Sequence, residues 1–369
     1  MKDKEIKVYL QRPWKFGDSS YYKNIIDFPP ENIKYLNVKK GKELIQSANY
    51  FKLNNLVKGR IKKILRKIVP NLPNAHLTTS NEKYDLIHCT HCLSLNKTPW
   101  ICDIEYVGQF WVSPLGDGTF PSKEKVKEII LSKNCKKIIA WNNWVRKEII
   151  KLFPDVKDKI EILHFTMPIK EIKRKKSKRI KLLYTSRRFY FKGGLHSIEI
   201  IDRLTKKYKD VDGLIVSDTP KEIIEKYKGN KKIEFYELMP QKEMFKKIHP
   251  KSDIFVYPSY TDTYGFGLVE AQAFGIPVVT VEGQSRREII QDGKTGFIIS
   301  NKKNINYFNS IEQAKDIINE MQNKVELLIK DNKLRKKMGD AGINEVKNGK
   351  FSIEKRNDKL RKIYEEAIK

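Results

Sequence analysis

The stretch SDIFVYPSYTDTYGFGLVEAQAFGIPVVTV, residues 252–281, has the pattern of a strand, a helix and a second strand. Two short apolar runs, SDIFVYP and IPVVTV, flank a helical pattern that begins near Gly265. Such alternation is typical of parallel sheets with crossover helices. Small residues at Ala271, Ala273 and Gly275 indicate that the helix packs closely on the sheet. The stretch therefore predicts part of a doubly wound α/β domain.

The same alternation continues outward from this stretch in both directions. The clearest helix of the first half is VRKEIIKLF, Val145–Phe153, whose apolar positions repeat every three or four residues. From about Ile311 onward the pattern is helical. Strand candidates begin in the first half at Glu5, Ile33, Tyr84, Trp100, Lys136 and Lys159, and in the second half at Arg179, Gly213, Lys232, Ser252, Ile276 and Gly296.

The length of 369 residues predicts two domains rather than one. The mostly basic segment TMPIKEIKRKKSKRIK has no apolar periodicity before Ile180 and is typical of a linker. We therefore expect one Rossmann-like domain over residues 1–168 and a second over residues 169–350. A helix over residues 351–369 is expected to cross back to the first domain.

The composition is strongly basic, with 74 Lys and Arg against 45 Asp and Glu and a formal net charge of +29. Such a charge favours contact with phosphates, nucleic acid or an anionic bilayer. The alternative is that most lysines form solvated helix faces, because Lys, Asn and Ile are all abundant. No stretch approaches the run of about 18 apolar residues that a membrane span requires. We expect a cytoplasmic protein, soluble or peripheral at the membrane.

A cluster of cysteines and histidines raises the question of zinc. Cys89 and Cys92 lie with His88 and His91 in HCTHC, and Cys102 follows. The single CxxC lies in a strand-like run, where alternate side chains point to opposite faces. The sequence therefore favours reduced, half-buried thiols and no metal, and the histidines are either satisfied locally or catalytic.

Basic residues and glycines follow the strand that begins at Arg179. In SRRFYFKGG, Arg187 stands at the strand end and Lys192 five residues later, before Gly193 and Gly194. An arginine can bind a diphosphate through two hydrogen bonds, a lysine supplies a point charge, and glycines at a helix start permit close approach of the backbone. This pattern predicts a diphosphate site, although basic residues near glycines also recur by chance in a lysine-rich chain.

Two carboxylates follow the strand at Ser252. Asp262 is predicted in a loop, and Glu270 lies eight residues later inside the next helix. The start of that helix, at about Gly265 to Gly267, offers backbone N–H groups to a phosphate or sugar oxygen at the positive end of the helix dipole, and Tyr264 and Phe266 are expected to bind substrate beside it. Glu270 can accept hydrogen bonds from two ribose hydroxyls while Asp262 reaches the hexose. The alternative is a helix-start aspartate and an exposed helical glutamate without a ligand.

Through these motifs the chain resembles the retaining GT-B-fold glycosyltransferases, family 4 or glycosyl transferases group 1, which carry two carboxylates with seven residues between them. The resemblance covers the second half in order: KLLYTSRRFYFKGG, GLIVSDTP, FYELMPQKEMFKKI, the stretch above and REIIQDGKTGFII. It implies that Arg187 and Lys192 bind the diphosphate and Glu270 the ribose. It also implies that backbone near Leu238 and Met239 holds the nucleobase, and that Glu288 lies at the end of the site. Asp262 stands where the family usually has Glu.

The first half resembles the family less closely. PWICDIEYVGQF is similar to the strand and loop that usually end in a histidine near the donor sugar, and Glu105 occupies that place, with Asp103 beside it. Glu105 polarises the acceptor hydroxyl, hydrogen-bonds the donor or is an ordinary strand-end carboxylate. RPWKFGDSSYYKN, residues 12–24, stands at the family's first glycine-bearing loop. Gly17 is expected to line the acceptor side, where Trp14, Tyr21 and Tyr22 either stack on sugars or pack internally.

The resemblance implies two domains that face each other across a cleft and transfer of a hexosyl group from a UDP- or GDP-sugar to an acceptor hydroxyl, with retention and without a divalent metal. The acceptor is expected to be a glycan or a lipid-linked sugar, and an anionic membrane surface is a further expected partner. Nucleic acid is not expected. The alternatives are a basic nucleic-acid- or membrane-binding protein without catalysis, and a sugar-nucleotide epimerase or a phosphorylase of the same fold.

Overall fold

The structure is a computed structural model that describes residues 5–12, 20–38, 72–112, 122–167 and 177–369, together with single positions between residues 49 and 64. The chain forms two compact units. The first comprises Met1–Leu44, Asn49–Thr166 and Ile353–Lys369, and the second comprises Ile45–Ala48 and Met167–Ser352. Most of the expected linker lies outside the described residues, and the domain boundaries of the sequence analysis stay predictions.

The first unit is built on a parallel sheet of six strands in the order β2-β1-β4-β6-β7-β8. Its central strands β4 and β6 are buried along their whole length, and apart from His88, Thr90 and Asp103 their residues are apolar. The strands are β1 Ile6–Gln11, β2 Ile33–Leu36, β4 Leu86–Thr90, β6 Trp100–Ile104, β7 Cys135–Ala140 and β8 Ile160–Ile162, with a small second sheet of β3 Ala75–His76 and β5 Leu93–Ser94. The helices of this part are α1 Ser20–Asp27, α2 Lys123–Leu131 and α3 Asn143–Leu152.

The second unit also has a parallel sheet of six strands, in the order β11-β10-β9-β12-β13-β14. Its strands are β9 Ile180–Ser186, β10 Val211–Ser217, β11 Ile233–Tyr236, β12 Ile254–Tyr257, β13 Val278–Val281 and β14 Gly296–Ile299. Its helices are α4 Gly194–Lys207, α5 Lys221–Tyr227, α6 Gln241–Glu243, α7 Phe266–Ala273, α8 Arg286–Ile289, α9 Lys315–Lys330 and α10 Asn332–Lys347. This strand order is that of a Rossmann-type sheet, in which the chain runs outward from the centre first on one side and then on the other.

The last helix, α11, Ile353–Ala367, packs on the first unit. The hydroxyl of its Tyr364 lies 2.8 Å from Nδ1 of His88 in β4 and 3.0 Å from the hydroxyl of Tyr35 in β2. Arg356 donates to the carbonyl oxygen of Phe28 at 2.9 Å. These buried contacts join a helix at the end of the chain to the first sheet, as the sequence led us to expect.

All twelve strand candidates coincide with observed strands, with ends shifted by a few residues at most. The predicted fold class, two Rossmann-like parallel-sheet domains, is therefore confirmed. Ala271, Ala273 and Gly275 are buried, and a Cβ on Gly275 would lie 2.9 Å from the side chain of Ile343, so this glycine permits close packing on α10 rather than on the sheet. Among the described helices, none combines the length and the apolar character that a membrane crossing needs.

Candidate functional site

The carboxyl ends of β9 and β12 lie side by side at the centre of the second sheet. The strand order changes direction between these two strands, and in open parallel sheets ligands bind at this switch point. The segment after β9 carries Arg187 and Lys192, and the segment after β12 carries Asp262. The fold therefore brings the predicted phosphate-binding segment and the first predicted carboxylate to one edge of one sheet.

Gly193, at the start of α4, allows the two segments to touch. Its φ is +72°, and a Cβ at this position would lie 2.1 Å from the carbonyl oxygen of Pro258. A side chain is disfavoured both by the left-handed backbone and by the carbonyl oxygen, so only glycine fits. The preceding residue, Lys192, is thereby held against the segment that follows β12.

The side chain of Lys192 joins the segment after β9 to the segment after β12. Its Nζ donates to the carbonyl oxygen of Thr261 at 2.5 Å and lies 3.2 Å from Oδ1 of Asp262. The ammonium also lies 5.5 Å from the centre of the Phe191 ring. The side chains of Lys192 and Asp262 are 20% and 15% exposed, so the pair is partly shielded from water yet accessible to a ligand.

Asp262 is held in the ionised form by its surroundings. The hydroxyl of Tyr257 donates to Oδ2 at 2.7 Å, and the backbone N–H of Asp262 donates to Oε1 of Gln284 at 2.5 Å. Burial acts to raise the pKa of Asp262, but the charges of Lys192 and Arg286 and the bond from Tyr257 outweigh it. The pKa therefore lies below its usual value. A fixed negative charge beside a fixed ammonium is suited to binding a polar sugar and a phosphate together.

Arg286, in α8, is a residue of this site that the sequence analysis missed. It is fully buried, and its guanidinium donates from Nη1 to the carbonyl oxygen of Asp262 at 3.0 Å and from Nη2 to that of Ser259 at 3.1 Å. The guanidinium carbon lies 6.0 Å from the centre of the Tyr257 ring. A buried charge is costly unless it is compensated, so these contacts fix the loop that carries Asp262.

Glu270 lies inside α7, one turn after the helix start, as predicted. Its Oε1 accepts a hydrogen bond from Nε2 of Gln241 at 2.5 Å. Burial raises the pKa of Glu270, while the bond from Gln241 and the charge of Arg187 act in the opposite direction and only partly offset it. Arg187 is exposed directly after the end of β9. It lies close enough to Glu270 for its positive charge to act on the pKa of that carboxylate.

The start of α7 has the geometry of an anion site. Gly265 precedes the helix with a φ of +85°, and a Cβ there would lie 2.8 Å from the side chain of Leu268 and 3.6 Å from Oδ2 of Asp262. The first turn of α7, with Phe266 and Gly267, lies at the positive end of the helix dipole, where negative charge is favoured. Tyr264 is buried, and its carbonyl oxygen accepts from Ser285 at 2.9 Å.

The remaining predicted residues of the second unit lie on neighbouring elements. Leu238 is buried and Met239 half-buried in the segment after β11, just before Gln241, which contacts Glu270. Glu288 lies in α8, two residues after Arg286, and its carbonyl oxygen accepts from Nζ of Lys350. The roles given to all these residues stay predictions.

In the first unit, Glu105 and Asp103 differ in the exposure of their side chains to solvent. Asp103 is fully buried, accepts from the hydroxyl of Tyr22 at 2.7 Å and from the N–H of His91 at 3.1 Å, and lies 3.3 Å from Nε2 of His88. Burial acts to raise the pKa of Asp103, but the two histidines and Tyr22 together lower it. Glu105 is half-buried, and its backbone N–H donates to Oε1 of Gln109 at 2.7 Å. The side chain of Glu105 is thus the more accessible of the two carboxylates.

Tyr21 and Tyr22 pack internally and do not form a sugar-stacking platform. Tyr21 and Tyr22 are buried: Tyr21 stacks on Trp141 with ring centres 4.2 Å apart, and Tyr22 bonds to Asp103. Both belong to the first turn of α1, Ser20–Asp27. Gly17 and Trp14 lie outside the described residues, so the predicted glycine loop stays a prediction.

The cysteine and histidine cluster is part of the core of the first unit. Cys89, Cys92, Cys102 and Cys135 are free thiols and all buried, and burial raises the pKa of Cys89 and Cys102 well above the usual value. Within the described parts of the chain, no three His, Cys, Asp or Glu side chains are grouped so as to hold a metal ion.

Comparison with known proteins supports the assignment of the second unit. Residues 167–345 match the family described as Glycosyl transferases group 1. The chain is 25% identical over 191 residues to the GPI3 subunit of phosphatidylinositol N-acetylglucosaminyltransferase from Saccharomyces cerevisiae, a match that covers 50% of this chain and 41% of that protein. The chain thus spans less than half the length of the curated relatives it matches.

Solved structures extend the likeness to the whole chain at the level of the fold. A glycosyltransferase from Rickettsia africae superposes with a TM-score of 0.64 at 18% identity, and the alignment covers 100% of this chain and 99% of that one. HepE from Anabaena, in complex with UDP-glucose, superposes with a TM-score of 0.61 at 11% identity, over 97% of this chain and 98% of that one. The match of residues 167–345 bears out the resemblance that the sequence analysis drew for the second half of the chain, while retention and the roles of the two carboxylates stay predictions.

Proposed function

Because residues 167–345 match the family described as Glycosyl transferases group 1, we propose that the protein transfers a hexosyl group from a nucleotide diphosphate sugar to an acceptor hydroxyl. The donor is a UDP- or GDP-sugar, and the configuration at the anomeric carbon is retained. The observation that carries this proposal is the contact between Lys192 and Asp262 at the switch point of the second sheet, next to the start of α7.

The chemical task in such a reaction is to stabilise charge on the departing diphosphate. Lys192, Arg187 and the first N–H groups of α7 would provide a preorganised positive potential around it, which does not call for a divalent metal. Asp262, fixed by Tyr257 and Arg286, would hold the hexose. Transfer with retention then follows from attack on the same face of the sugar from which the diphosphate leaves.

The nucleoside part of the donor would extend along the same edge of the sheet. Glu270 would accept hydrogen bonds from the two ribose hydroxyls, with Gln241 orienting it. The backbone near Leu238 and Met239 would hold the nucleobase, and Tyr264 and Glu288 would complete the site. On the acceptor side, Glu105 would polarise the hydroxyl, and Gly17 would lie in the lining loop.

The proposed function includes the class of acceptor and a location at the membrane. UDP and UDP-glucose are bound by HepE, and the yeast relative is named for transfer to phosphatidylinositol. A glycan or lipid-linked acceptor is in line with these relatives. The formal charge of +29 favours action at an anionic membrane surface on the cytoplasmic side.

The first test is release of nucleotide from UDP-glucose and GDP-mannose, with water as the acceptor. We expect release from at least one donor and expect Lys192→Met and Glu270→Gln to reduce it by about 100-fold, the usual cost of losing a charged transition-state contact. Lys206→Met is the matched control, because Lys206 lies on α4 and is 67% exposed, paired with Asp202. Equal rates in Lys192→Met and the control would refute the site.

A second test concerns the stereochemical outcome. Proton NMR of the first sugar released from an α-linked donor should show the α anomer before mutarotation. Appearance of the β anomer would exclude retention. A third outcome, interconversion of the donor into a second nucleotide sugar without release of nucleotide, would identify an epimerase instead.

A further inference from the structure

Three aromatic side chains lie in a row beside the candidate site of the second unit. Phe191 belongs to the segment after β9, and Tyr307 and Phe308 belong to the segment after β14. The ring centres of Phe191 and Tyr307 are 4.6 Å apart and those of Tyr307 and Phe308 are 4.2 Å apart, with the rings tilted by 46° and 38°. We term these three residues the aromatic row. Phe308, at its outer end, is 80% exposed, the largest fraction among the large apolar side chains that the structure describes.

The inner end of the aromatic row is continuous with the candidate site. Nζ of Lys192, which contacts Asp262, lies 5.5 Å from the centre of the Phe191 ring. The carbonyl oxygen of Phe191 accepts from Oγ1 of Thr261 at 3.4 Å, in the same segment as Asp262. The aromatic row therefore begins at the residues proposed to hold the diphosphate and the hexose, and it ends in solvent.

Hydrogen bonds hold the outer end of the aromatic row in place. The ring of His196, buried in α4, lies with Nε2 3.0 Å from the carbonyl oxygen of Asn309 and with Nδ1 2.8 Å from the hydroxyl of Tyr260. The backbone N–H of Phe308 donates to Oδ1 of Asn306 at 2.8 Å, and that of Asn306 donates to Oδ1 of Asn309 at 2.7 Å. The exposed ring is thus carried by a fixed backbone, and a surface that is ordered beforehand loses less entropy when it binds a ligand.

A row of exposed aromatic rings is suited to a chain of sugar rings. One face of a sugar ring consists of C–H groups, which pack on the negative face of an aromatic ring, while the hydroxyl groups remain in water. A single exposed aromatic ring is ordinary, but a contiguous row that leads out of a candidate site is not. We propose that the aromatic row binds an oligosaccharide acceptor. The reacting end of the acceptor lies at Lys192 and Asp262, and its further sugar rings stack on Tyr307 and Phe308.

Other occupants fit the aromatic row less well. The nucleobase of the donor is proposed after β11, at one edge of the sheet, whereas the outer part of the aromatic row follows β14, at the opposite edge. The guanidinium carbon of Arg188 lies 5.6 Å from the centre of the Phe191 ring, and a second copy of the chain would bring like charges together there. A purely apolar partner would remove water from this cation without replacing its hydrogen bonds, whereas sugar hydroxyl groups accept them.

This inference rests on the proposed function and specifies its acceptor as a chain of sugars. Binding of an oligosaccharide is measured without donor, so the two proposals fail separately. A protein that binds oligosaccharide but releases no nucleotide would refute the proposed reaction alone. A protein that releases nucleotide but binds no oligosaccharide would refute this inference alone.

The experiment applies the full chain to a printed array of neutral and acidic oligosaccharides and of the monosaccharides that compose them. We expect binding to oligosaccharides and none to the monosaccharides. Isothermal titration with the oligosaccharide that binds most strongly should then show about five- to tenfold weaker binding by Phe308→Ala. That is the loss expected when an aromatic ring that is about half covered by a ligand is removed.

Two conservative variants separate stacking on a ring from general apolar contact. Phe308→Tyr keeps the flat ring and should bind like the wild type, whereas Phe308→Leu keeps apolar bulk and should bind as weakly as Phe308→Ala. The matched control is Tyr190→Ala, because Tyr190 is a 43% exposed aromatic residue of the same unit whose hydroxyl donates to Glu222 at 3.1 Å. It is not part of the aromatic row, so this variant should bind like the wild type.

Replacement of so exposed a side chain as Phe308 should leave the thermal unfolding transition unchanged. Absence of binding to every oligosaccharide on the array would overturn the inference, and so would equal binding by Phe308→Ala and the wild type. Equal binding by Phe308→Leu and the wild type would also overturn it, because the contact would then need no ring. A dimer in sedimentation velocity that Phe308→Ala dissociates, without oligosaccharide binding, would show instead that a second copy covers the aromatic row.

Discussion

Gly193→Ala is predicted to separate the two segments of the candidate site. The residue has a φ of +72°, and the new Cβ would lie 2.1 Å from the carbonyl oxygen of Pro258. Since real Cβ contacts below 3.0 Å are essentially absent, the start of α4 or the segment after β12 must move by about 0.9 Å. Lys192, one residue earlier, would move with it and lose its contact with Asp262.

The chain contains a matched control for this substitution. Gly293 has the same φ of +72°, but a Cβ there has nothing within 4 Å. Gly293→Ala should therefore cost only the left-handed backbone strain, about 1–2 kcal/mol. Gly193→Ala should add the cost of an overpacked contact, about 1–3 kcal/mol more. The difference between the two variants isolates the steric contribution of Pro258.

Hydrogen exchange of the α4 amides, followed by mass spectrometry, measures this difference locally. We expect the amides of α4 to exchange roughly 5- to 150-fold faster in Gly193→Ala than in Gly293→Ala, which is the range that 1–3 kcal/mol gives. Nucleotide release should fall by about 100-fold in Gly193→Ala alone, as expected for a misplacement near 1 Å. Similar exchange and similar rates in both variants would refute the reasoning.

Three further outcomes follow from other contacts. Arg286→Met removes two hydrogen bonds to the loop of Asp262 and a positive charge that lowers the pKa of Asp262. We expect the rate of nucleotide release to fall about tenfold or more, and the acid limb of its pH profile to move to higher pH. The thermal shift produced by UDP or GDP should be unchanged. An acid limb of the pH profile that does not move would contradict the predicted effect of Arg286 on the pKa of Asp262. Burial lowers the pKa of His249 to about 4, so between pH 6.5 and 4 only the unfolded state takes up the proton. The free energy of unfolding should therefore fall by about 3 kcal/mol over that window, and His249→Phe should lose that much less, as urea titrations at several pH values would show. Tyr364→Phe leaves Nδ1 of the buried His88 without this partner and should cost the first unit about 1–3 kcal/mol. Tryptophan fluorescence reports on that unit, because all five tryptophans lie between residues 14 and 144; Tyr190→Phe, at a 43% exposed ring in the second unit, is the control that should leave the transition unshifted.

The sequence predicted the strands and much of the candidate site because both depend on local patterns. A buried parallel strand is a short apolar run, and the residues that follow the carboxyl ends of neighbouring strands meet at one edge. Lys192 and Asp262 were therefore expected close together before their contact was seen. The pairing itself depends on Gly193, whose role requires the position of Pro258, 65 residues further along the chain.

The residues that were missed depend on tertiary contacts without a local signal. Arg286 stands in SRRE, a run of polar residues typical of an exposed turn, yet it is fully buried beneath the loop of Asp262. Gln241 gave no indication that it would meet Glu270. The sequence allowed Tyr21 and Tyr22 either to stack on sugars or to pack internally, and their contacts with Trp141 and Asp103 in the core show internal packing.

The position of α11 in the chain has a consequence for biosynthesis. The ribosome makes the sheet of the first unit and then residues 167–352 of the second unit before it reaches Leu360, Ile363 and Tyr364, which are buried on the first unit. At about 5–20 residues per second, that delay is roughly 10–40 s. During this interval the nascent sheet carries an uncovered apolar surface with His88 and Tyr35 unprotected, so the first half of the chain to be translated is the last to reach its native state.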